Sequence, residues 1–498
     1  MTAVADRSVI ESLAPASVWR FFAGIAAVPR PSKHEQKIRA HVKQLAESLK
    51  LNVREDRIGN LLIEVPASKG CEHAAPTVLQ GHLDMVCEKN TGTMHDFDKD
   101  PIRLVLDKTV AGNQIIRADG TTLGADNGIG VALALAAATD PDAVHGPLEI
   151  LCTIDEEDGM SGAKAIVPEF FKGRRMLNLD SEEDDAIYIG CAGGTDTTLI
   201  WSLPTAAPPP GTEVYRISVT GLKGGHSGCD IHLNRCSAIA LLAQTLQCVE
   251  EPRLQLAAIS GGSKRNAIPR EAGATVVGPQ GLSARLANVA KRVQAEAVSN
   301  SEAECKITVE SATVLSALSI SDSHRILTTI AALPHGVLAV VPDIPGLVQT
   351  SNGTTTINSA VVGSSLRVEV GCLSRSSSKT DMSATLAKIA AVASLAGAEV
   401  VRANEYPGWA PNIQSPTLAV CRSAYERVFS KKPRIASIHA GLECGIIGEL
   451  VGQMDMVSFG PNIHGAHSPG ERVEVASVDR MYKYLLAVLA DLAKESNY

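Results

Sequence analysis

Apolar positions recur at helical spacing between residues 33 and 50, at Ile38, Val42, Leu45 and Leu49, and predict an amphipathic helix. A short apolar run at 76–80 reads as a strand and leads into Gly81-His82-Leu83-Asp84. Residues 127–139, NGIGVALALAAAT, have almost no polar face and predict a buried helix. The run 147–154, PLEILCTI, reads as a buried strand entering Asp155-Glu156-Glu157, and a third strand at 176–179 enters Asp180. Strands alternating with helices predict an α/β layered architecture.

The pattern changes near residue 190. Gly193-Gly194 and the stretch 204–211, which contains Pro208-Pro209-Pro210, read as a crossing between packing units. Beyond it, strands at 213–220 and 274–277 mix with helices at 236–250 and 282–297, the pattern of an α+β insertion. Tyr406-Pro407-Gly408-Trp409 interrupts the chain again. The tail returns to α/β character, with a strand at 455–459 and an amphipathic helix at 477–495.

A chain of 498 residues exceeds one comfortable core and implies two or three packing units. Aromatics are only 3% of it, so Ala, Val, Leu and Ile must fill the interior. The net charge of −8, without a Lys/Arg block, argues against a nucleic-acid partner. No uninterrupted apolar stretch of transmembrane length and no secretory leader pattern is present, so the chain is expected to act in the cytoplasm, away from membranes. Eleven cysteines without regular spacing fit reduced thiols in such a protein, Cys152 and Cys248 lying in apolar or helix-like stretches. Cys87 lies close to His82 and Asp84, and Cys444 is next to Glu443.

His82 with Asp84, Glu156 with Glu157, and Asp180 each sit just past a predicted strand. In open α/β sheets the ligand crevice lies beyond the carboxyl ends of the strands, so three strands would deliver these groups to one place. Asp126 precedes the buried helix in a Gly-containing loop, and His467 comes after the predicted strand at 455–459. Imidazole and carboxylate donors without thiolate suit Zn²⁺ or Mn²⁺ in a hydrolytic site, and two ions can clamp a substrate oxygen and a water between them. Each group alone has an ordinary explanation. Asp126 could be a helix N-cap, the Glu pair a solvated face, Asp180 the start of an acidic run, and His467 a loop histidine. Their common position at strand ends is what singles them out.

The motifs GHLDMV, LGADNGIGVA, TIDEEDGMSGA, LNLDSEE, GLKGGHSG, HAGLECG and GAHSPGERV, in that order, resemble the Xaa-His dipeptidases. These belong to a wider clan of aminoacylase, carnosinase and carboxypeptidase-G-like zinc hydrolases. The resemblance runs from Pro29-Arg30-Pro31-Ser32 to the final helix. It implies two divalent ions, zinc first with manganese or cobalt as alternatives. His82 and Asp180 would hold one, Glu157 and His467 the other, and Asp126 would bridge them. Asp84 would orient the His82 imidazole, and Glu156 would be the general base. His226, in Gly224-Gly225-His226-Ser227-Gly228, matches a histidine that stabilises the oxyanion. Asn266 and Glu443 match substrate contacts, Glu443 near the substrate amino end.

With ligands in both end segments and none in the middle, a discontinuous catalytic domain is expected over 1–188 plus 405–498. A lid of dimerisation type would span 189–404. The resemblance further implies a homodimer that hydrolyses short unblocked peptides, chiefly Xaa-His dipeptides. N-acyl amino-acid deacylation, or a metal-binding scaffold without catalysis, is the alternative.

Overall fold

The structure, a computed structural model, describes residues 7–495 except 343 and 345. It divides into two compact units. One comprises the chain to Gly190, Pro411–Ser437 and the chain from Leu442 onward; the other comprises Cys191–Ala410 and Ile438–Gly441.

The first unit is built on an eight-stranded sheet. Its order is Asn52–Glu55, Leu61–Val65, Leu148–Thr153, Thr77–His82, Arg175–Asn178, Asp455–Ser458, Ala186–Cys191, Arg434–Ile438. The middle four strands are parallel, and their register sets His82 beside Thr153, Gln80 beside Asn178, and Asn178 beside Ser458. All four therefore end at one edge, and the residues just past them leave the sheet side by side. The side chains of these four strands are buried apart from Asp455, which is half-buried, as expected of parallel strands covered on both faces.

The helix Ala125–Thr139 buries nearly every side chain, including those the continuous apolar run marked as interior. It packs on the strand Thr77–His82 and on the helix Ala16–Ala26. A smaller sheet pairs Leu104–Lys108, Gln114–Ala118, Arg472–Glu474 and Ile463–His464. This pairing holds the loop between residues 464 and 472, which carries His467, beside the chain entering the buried helix. The final helix, Val475–Leu492, buries one face with Val478, Met481, Leu485, Val488 and Leu492.

The second unit is antiparallel. Its ten-stranded sheet runs Lys306–Ser311, Glu213–Thr220, Ala272–Gly278, Gln255–Gly261, Val348–Val362, Ser365–Ser376, Gly193–Ala206, Ala317–Leu318, with Gly336–Val340 and Glu399–Tyr406 paired alongside. Its core is aliphatic, with Leu242, Leu246, Leu286, Val293, Ile326 and Ile389 from four helices against sheet residues such as Val219, Val276 and Val368.

The crossing between the units falls at Gly190–Cys191, just before Gly193-Gly194 and well ahead of the Pro-rich stretch. The strand Gly193–Ala206 runs unbroken through both Gly193-Gly194 and Pro204. A Cβ on Gly193 would stand 2.5 Å from the Gly408 nitrogen, and one on Gly194 would stand 2.6 Å from the Tyr406 ring. Here glycine serves close approach of a neighbouring strand rather than a turn. None of the eleven cysteines forms a disulfide; Cys152 and Cys444 are buried and Cys87 and Cys248 partly so. No helix among the described residues is long and apolar enough to cross a membrane.

Candidate metal centre

Beyond the common strand edge of the first unit, five expected ligands converge. His82 Nε2 lies 3.1 Å from Asp126 Oδ1 and 3.4 Å from Asp180 Oδ1. His467 Nε2 lies 3.2 Å from Asp126 Oδ2 and 3.0 Å from Glu157 Oε2. Asp126 thus faces one histidine with each oxygen, and two groups of donors, His82 with Asp180 and His467 with Glu157, flank it. Ligand atoms of His82, Asp126 and Glu157 all lie within 4.8 Å of one another. The His82 side chain is 1% exposed and that of His467 55% exposed, so the cluster is closed at one end and open at the other.

The local chain explains each placement. Asp84 is fully buried and receives the Glu156 amide at 3.0 Å, the Glu157 amide at 3.1 Å and the Ser32 hydroxyl at 2.7 Å. Its Oδ1 also lies 3.3 Å from His82 Nδ1, which is hydrogen-bonded to the Asp84 main-chain carbonyl at 3.2 Å. One carboxylate therefore orients the His82 ring and holds the turn that carries Glu156 and Glu157. Asp155, at the start of that turn, is in the left-handed region at φ 52, so the chain bends sharply as it leaves the strand.

The protonation pattern is that of an anionic nest lacking enough positive charge. Burial pushes Glu156 well above the usual carboxylate range, reinforced by Asp180, Glu157 and Glu443. Burial also raises Asp180 to about 7, against the pull of His82. Burial would depress His82, but Asp180, Asp126 and Asp84 together raise it well above an ordinary imidazole. Hydrogen bonds to Asp126 and Glu157 lift His467 to about 11. Burial opposes the charge on Asp84, yet His82, Ser32 and the Glu156 amide hold it at about 2. In addition, Oε1 of Glu157 is buried without a hydrogen-bond partner. Crowded carboxylates, imidazoles aimed at them and an orphaned carboxylate oxygen together make a donor set that fits divalent cations.

Glu443 lies under the same strand ends. It is fully buried, and its Oε2 accepts from Gln80 Nε2 at 2.7 Å and from the Thr153 hydroxyl at 2.5 Å. Burial raises it to about 8.

His226 and Asn266 belong to the second unit. His226 is in a two-residue strand, Gly225–His226, paired with Ala267–Ile268, directly beyond Asn266. The Ser227 amide donates to the Asn266 carbonyl at 2.8 Å, joining the two segments. Nδ1 of His226 accepts the amides of Gly228 at 3.2 Å and Cys229 at 2.9 Å. With Nδ1 accepting, the neutral ring carries its proton on Nε2 and presents a donor there.

Several groups escaped the sequence reading. Arg30 is 1% exposed and donates to the carbonyls of Leu83 at 2.9 Å, Asp84 at 2.7 Å and Gly124. The Pro29-Arg30-Pro31-Ser32 motif was its only signal. Glu471, four residues past His467, is 2% exposed and accepts backbone amides from the Asp126 loop. Glu182, in the acidic run, is raised to about 8 by burial and then by Asp126. In the second unit, His439 is 7% exposed with Nε2 2.7 Å from the Ser351 hydroxyl.

Residues 78–491 match the model of peptidase family M20/M25/M40. The chain is 39% identical over 491 residues to the cytosol non-specific dipeptidase of Escherichia coli K12, covering 97% of this chain and 99% of the relative. It is similar to the crystal structure of aminoacylhistidine dipeptidase from Vibrio alginolyticus, at 39% identity and TM-score 0.87, covering 97% and 98% of the two chains. A Staphylococcus aureus tripeptidase structure shares the fold at TM-score 0.62 and 14% identity, covering 97% of this chain and 100% of the other.

Proposed function

The chain belongs to peptidase family M20/M25/M40 and is a peptide hydrolase, and from that membership we propose that it is a two-metal dipeptidase acting on short unblocked peptides, Xaa-His dipeptides among them. The observation that supports this most is Asp126, whose two oxygens are divided between His82 at 3.1 Å and His467 at 3.2 Å. A carboxylate so placed suits a bridge between two cations. His82 and Asp180 would hold one, Glu157 and His467 the other, with zinc first and manganese or cobalt as alternatives.

When bound, the ions supply Lewis-acid polarisation of the scissile carbonyl and lower the pKa of water. Glu156 takes the proton from that water at its carboxylate and passes it to the leaving amine. Asp84 fixes the His82 tautomer through Nδ1. His226 offers Nε2–H to the carbonyl oxygen as negative charge develops there. Asn266, exposed on its turn, and Glu443, whose Oε1 has no hydrogen-bond partner, are assigned to substrate.

The Escherichia coli relative is described as non-specific and the Vibrio protein as an aminoacylhistidine dipeptidase. The reading here is therefore a preference for free dipeptides, with histidine accepted in the leaving position. A cytoplasmic homodimer completes it. The cytosol assignment of the Escherichia coli relative and the eleven cysteines outside any disulfide support the compartment, and light scattering in solution tests the dimer.

The deciding experiment measures metal content and turnover on one preparation, with free dipeptides set against N-acetylated amino acids. Near two ions per chain with faster turnover of dipeptides is expected. Faster turnover of the acylated compounds would make the protein a deacylase, and bound metal without any hydrolysis would make it a scaffold.

A further inference from the structure

The bridging position of Asp126 is not held by its helix. Asp126 has φ −77 and ψ 112 and Asn127 has φ −107 and ψ 27, both outside the helical region, although the helix Ala125–Thr139 begins there. The preceding Gly124 is left-handed at φ 67. Ordinary helical hydrogen bonding therefore cannot fix the carboxylate, and the loop must be gripped from outside.

That grip comes mainly from one side chain. Glu471 Oε2 accepts the amides of Leu123 at 2.7 Å and Gly124 at 3.0 Å, and Oε1 accepts those of Ala125 at 2.7 Å and Asp126 at 3.3 Å. Four successive N–H groups thus converge on one buried carboxylate, a charge-assisted arrangement stronger than neutral pairs. On the opposite side, Arg30 donates to the Gly124 carbonyl. A Cβ on Gly124 would stand 2.4 Å from Arg30 Nη2 and one on Gly128 2.8 Å, so the backbone is seated directly against the guanidinium. Asn127 Nδ2 completes the seat by donating to the Leu179 carbonyl at 2.7 Å, just before Asp180.

Glu471 also belongs to the loop of His467. That loop is closed by its own bonds: Ser468 Oγ donates to the Gly465 carbonyl at 2.7 Å, and the Glu471 amide donates to the Ser468 carbonyl at 3.0 Å. The adjoining strand fixes its end, with Arg472 opposite Arg117. The carboxylate of Glu471 therefore ties the loop that carries His467 to the backbone of the loop that carries Asp126, beside the 3.2 Å approach of His467 Nε2 to Asp126 Oδ2.

We propose that Glu471 is a positioning residue that locks Asp126 to His467, so that the two ligands move as one body and set the affinity of the metal position they share. It touches neither metal nor substrate in this role. Gln in its place keeps the size but offers one acceptor oxygen and turns an NH₂ toward amides that need acceptors.

The inference rests on the two-metal reading, and the test separates them. Metal affinity is measured by competition with a graded chelator series on wild type, Glu471→Gln, Glu471→Asp and the control Glu474→Gln, with the melting transition of each metal-free protein as a second readout. Glu474 lies in the same segment but accepts from His464 and Asn462, both at 3.1 Å. Glu471→Gln is expected to release one ion about 10–100-fold more readily than wild type, the usual scale for loss of a group that orients a ligand, while the second ion stays. Glu471→Asp, too short to reach all four amides, should shift affinity in the same direction, and it decides the matter if the Gln variant does not fold. Glu474→Gln should bind as wild type does. Two ions held with wild-type affinity by both Glu471 variants would overturn the proposal, even if their metal-free melting falls. Wild type that binds no ion overturns the two-metal reading instead.

Discussion

Asp84 Oδ1 stands 3.3 Å from Nδ1 of His82, while His82 Nε2 faces Asp126 and Asp180. The carboxylate, together with the Asp84 main-chain carbonyl at 3.2 Å, thus addresses the ring nitrogen not used on the ligand side. Such a partner fixes the tautomer and makes the other nitrogen a better donor. Asp84→Asn is expected to weaken binding at the His82 position by about 10–100-fold. Because Asp84 also accepts the Glu156 and Glu157 amides, turnover should fall even when excess metal restores occupancy. Chelator competition and kcat at saturating metal check the two effects separately.

Glu156 and Glu157 are adjacent, yet only Glu157 approaches His467, at 3.0 Å. Glu156 is a half-buried carboxyl that interacts electrostatically with His82, Asp180, Glu157 and Glu443. A base and a ligand side by side give opposite outcomes on neutral replacement. Glu156→Gln should keep both ions and lose roughly 10²–10⁴-fold in kcat, the scale of a positioned acid–base group. Glu157→Gln should lose an ion first. Metal analysis of the two purified variants is the check, and a reversed pattern would swap the assignments.

Much of this was legible in the chain, for a physical reason. A parallel strand is a short apolar run, and the residues at its carboxyl end must emerge at the sheet edge, so His82, Glu157 and Asp180 could be placed together from pattern alone. The buried helix after Asp126 was legible in the same way. Glu471 and Arg30 were not, because their partners are backbone groups far along the chain and a backbone amide leaves no mark on composition. Gly193-Gly194 lies just past the crossing at Gly190–Cys191 and inside a strand; glycine signals both turns and close packing, and here neighbouring backbone and ring atoms account for it. His439 was hidden for another reason: the short segment Ile438–Gly441 packs with the second unit although both flanking stretches belong to the first.

His439 gives the second unit an acid sensitivity. Burial lowers its pKa to about 3, with the Arg375 guanidinium and His226 adding to the effect. Nε2 lies 2.7 Å from the Ser351 hydroxyl, and burial beside the Arg375 guanidinium holds the ring neutral. The folded pKa is below the unfolded value of about 6.5, so the unfolded chain binds the extra proton. The stability contribution is therefore complete above about pH 6.5 and is lost as pH falls toward 3. His439→Gln removes that titration. In chelator, the unfolding free energy of wild type should fall more steeply between pH 6.5 and 4 than that of the variant, by up to one proton, about 1.4 kcal/mol per pH unit. Parallel slopes would show that His439 does not couple to unfolding.

The loop of His226 leaves little room for error. A Cβ on Gly228 would stand 2.0 Å from the His439 carbonyl oxygen, with Arg375 Nε at 2.9 Å on another side. Gly228 is needed for close approach, and its amide is also one of the two that hold Nδ1 of His226. His226→Ala removes the Nε2–H donor but little buried apolar surface. It should lower kcat by roughly 10²–10³-fold, as for loss of one oxyanion donor, with KM within a few-fold and both ions retained. Gly228→Ala should reach a similar kcat by a different route, because the methyl group displaces the loop while the imidazole remains. The two differ in combination. If Gly228 acts through His226, the double variant should be no slower than His226→Ala alone, since coupled positions do not add. Steady-state kinetics on the four proteins of this cycle decide it. Fully multiplicative losses would mean that Gly228 serves the second unit as packing only, and near-normal kcat in His226→Ala would remove the histidine from the reaction altogether.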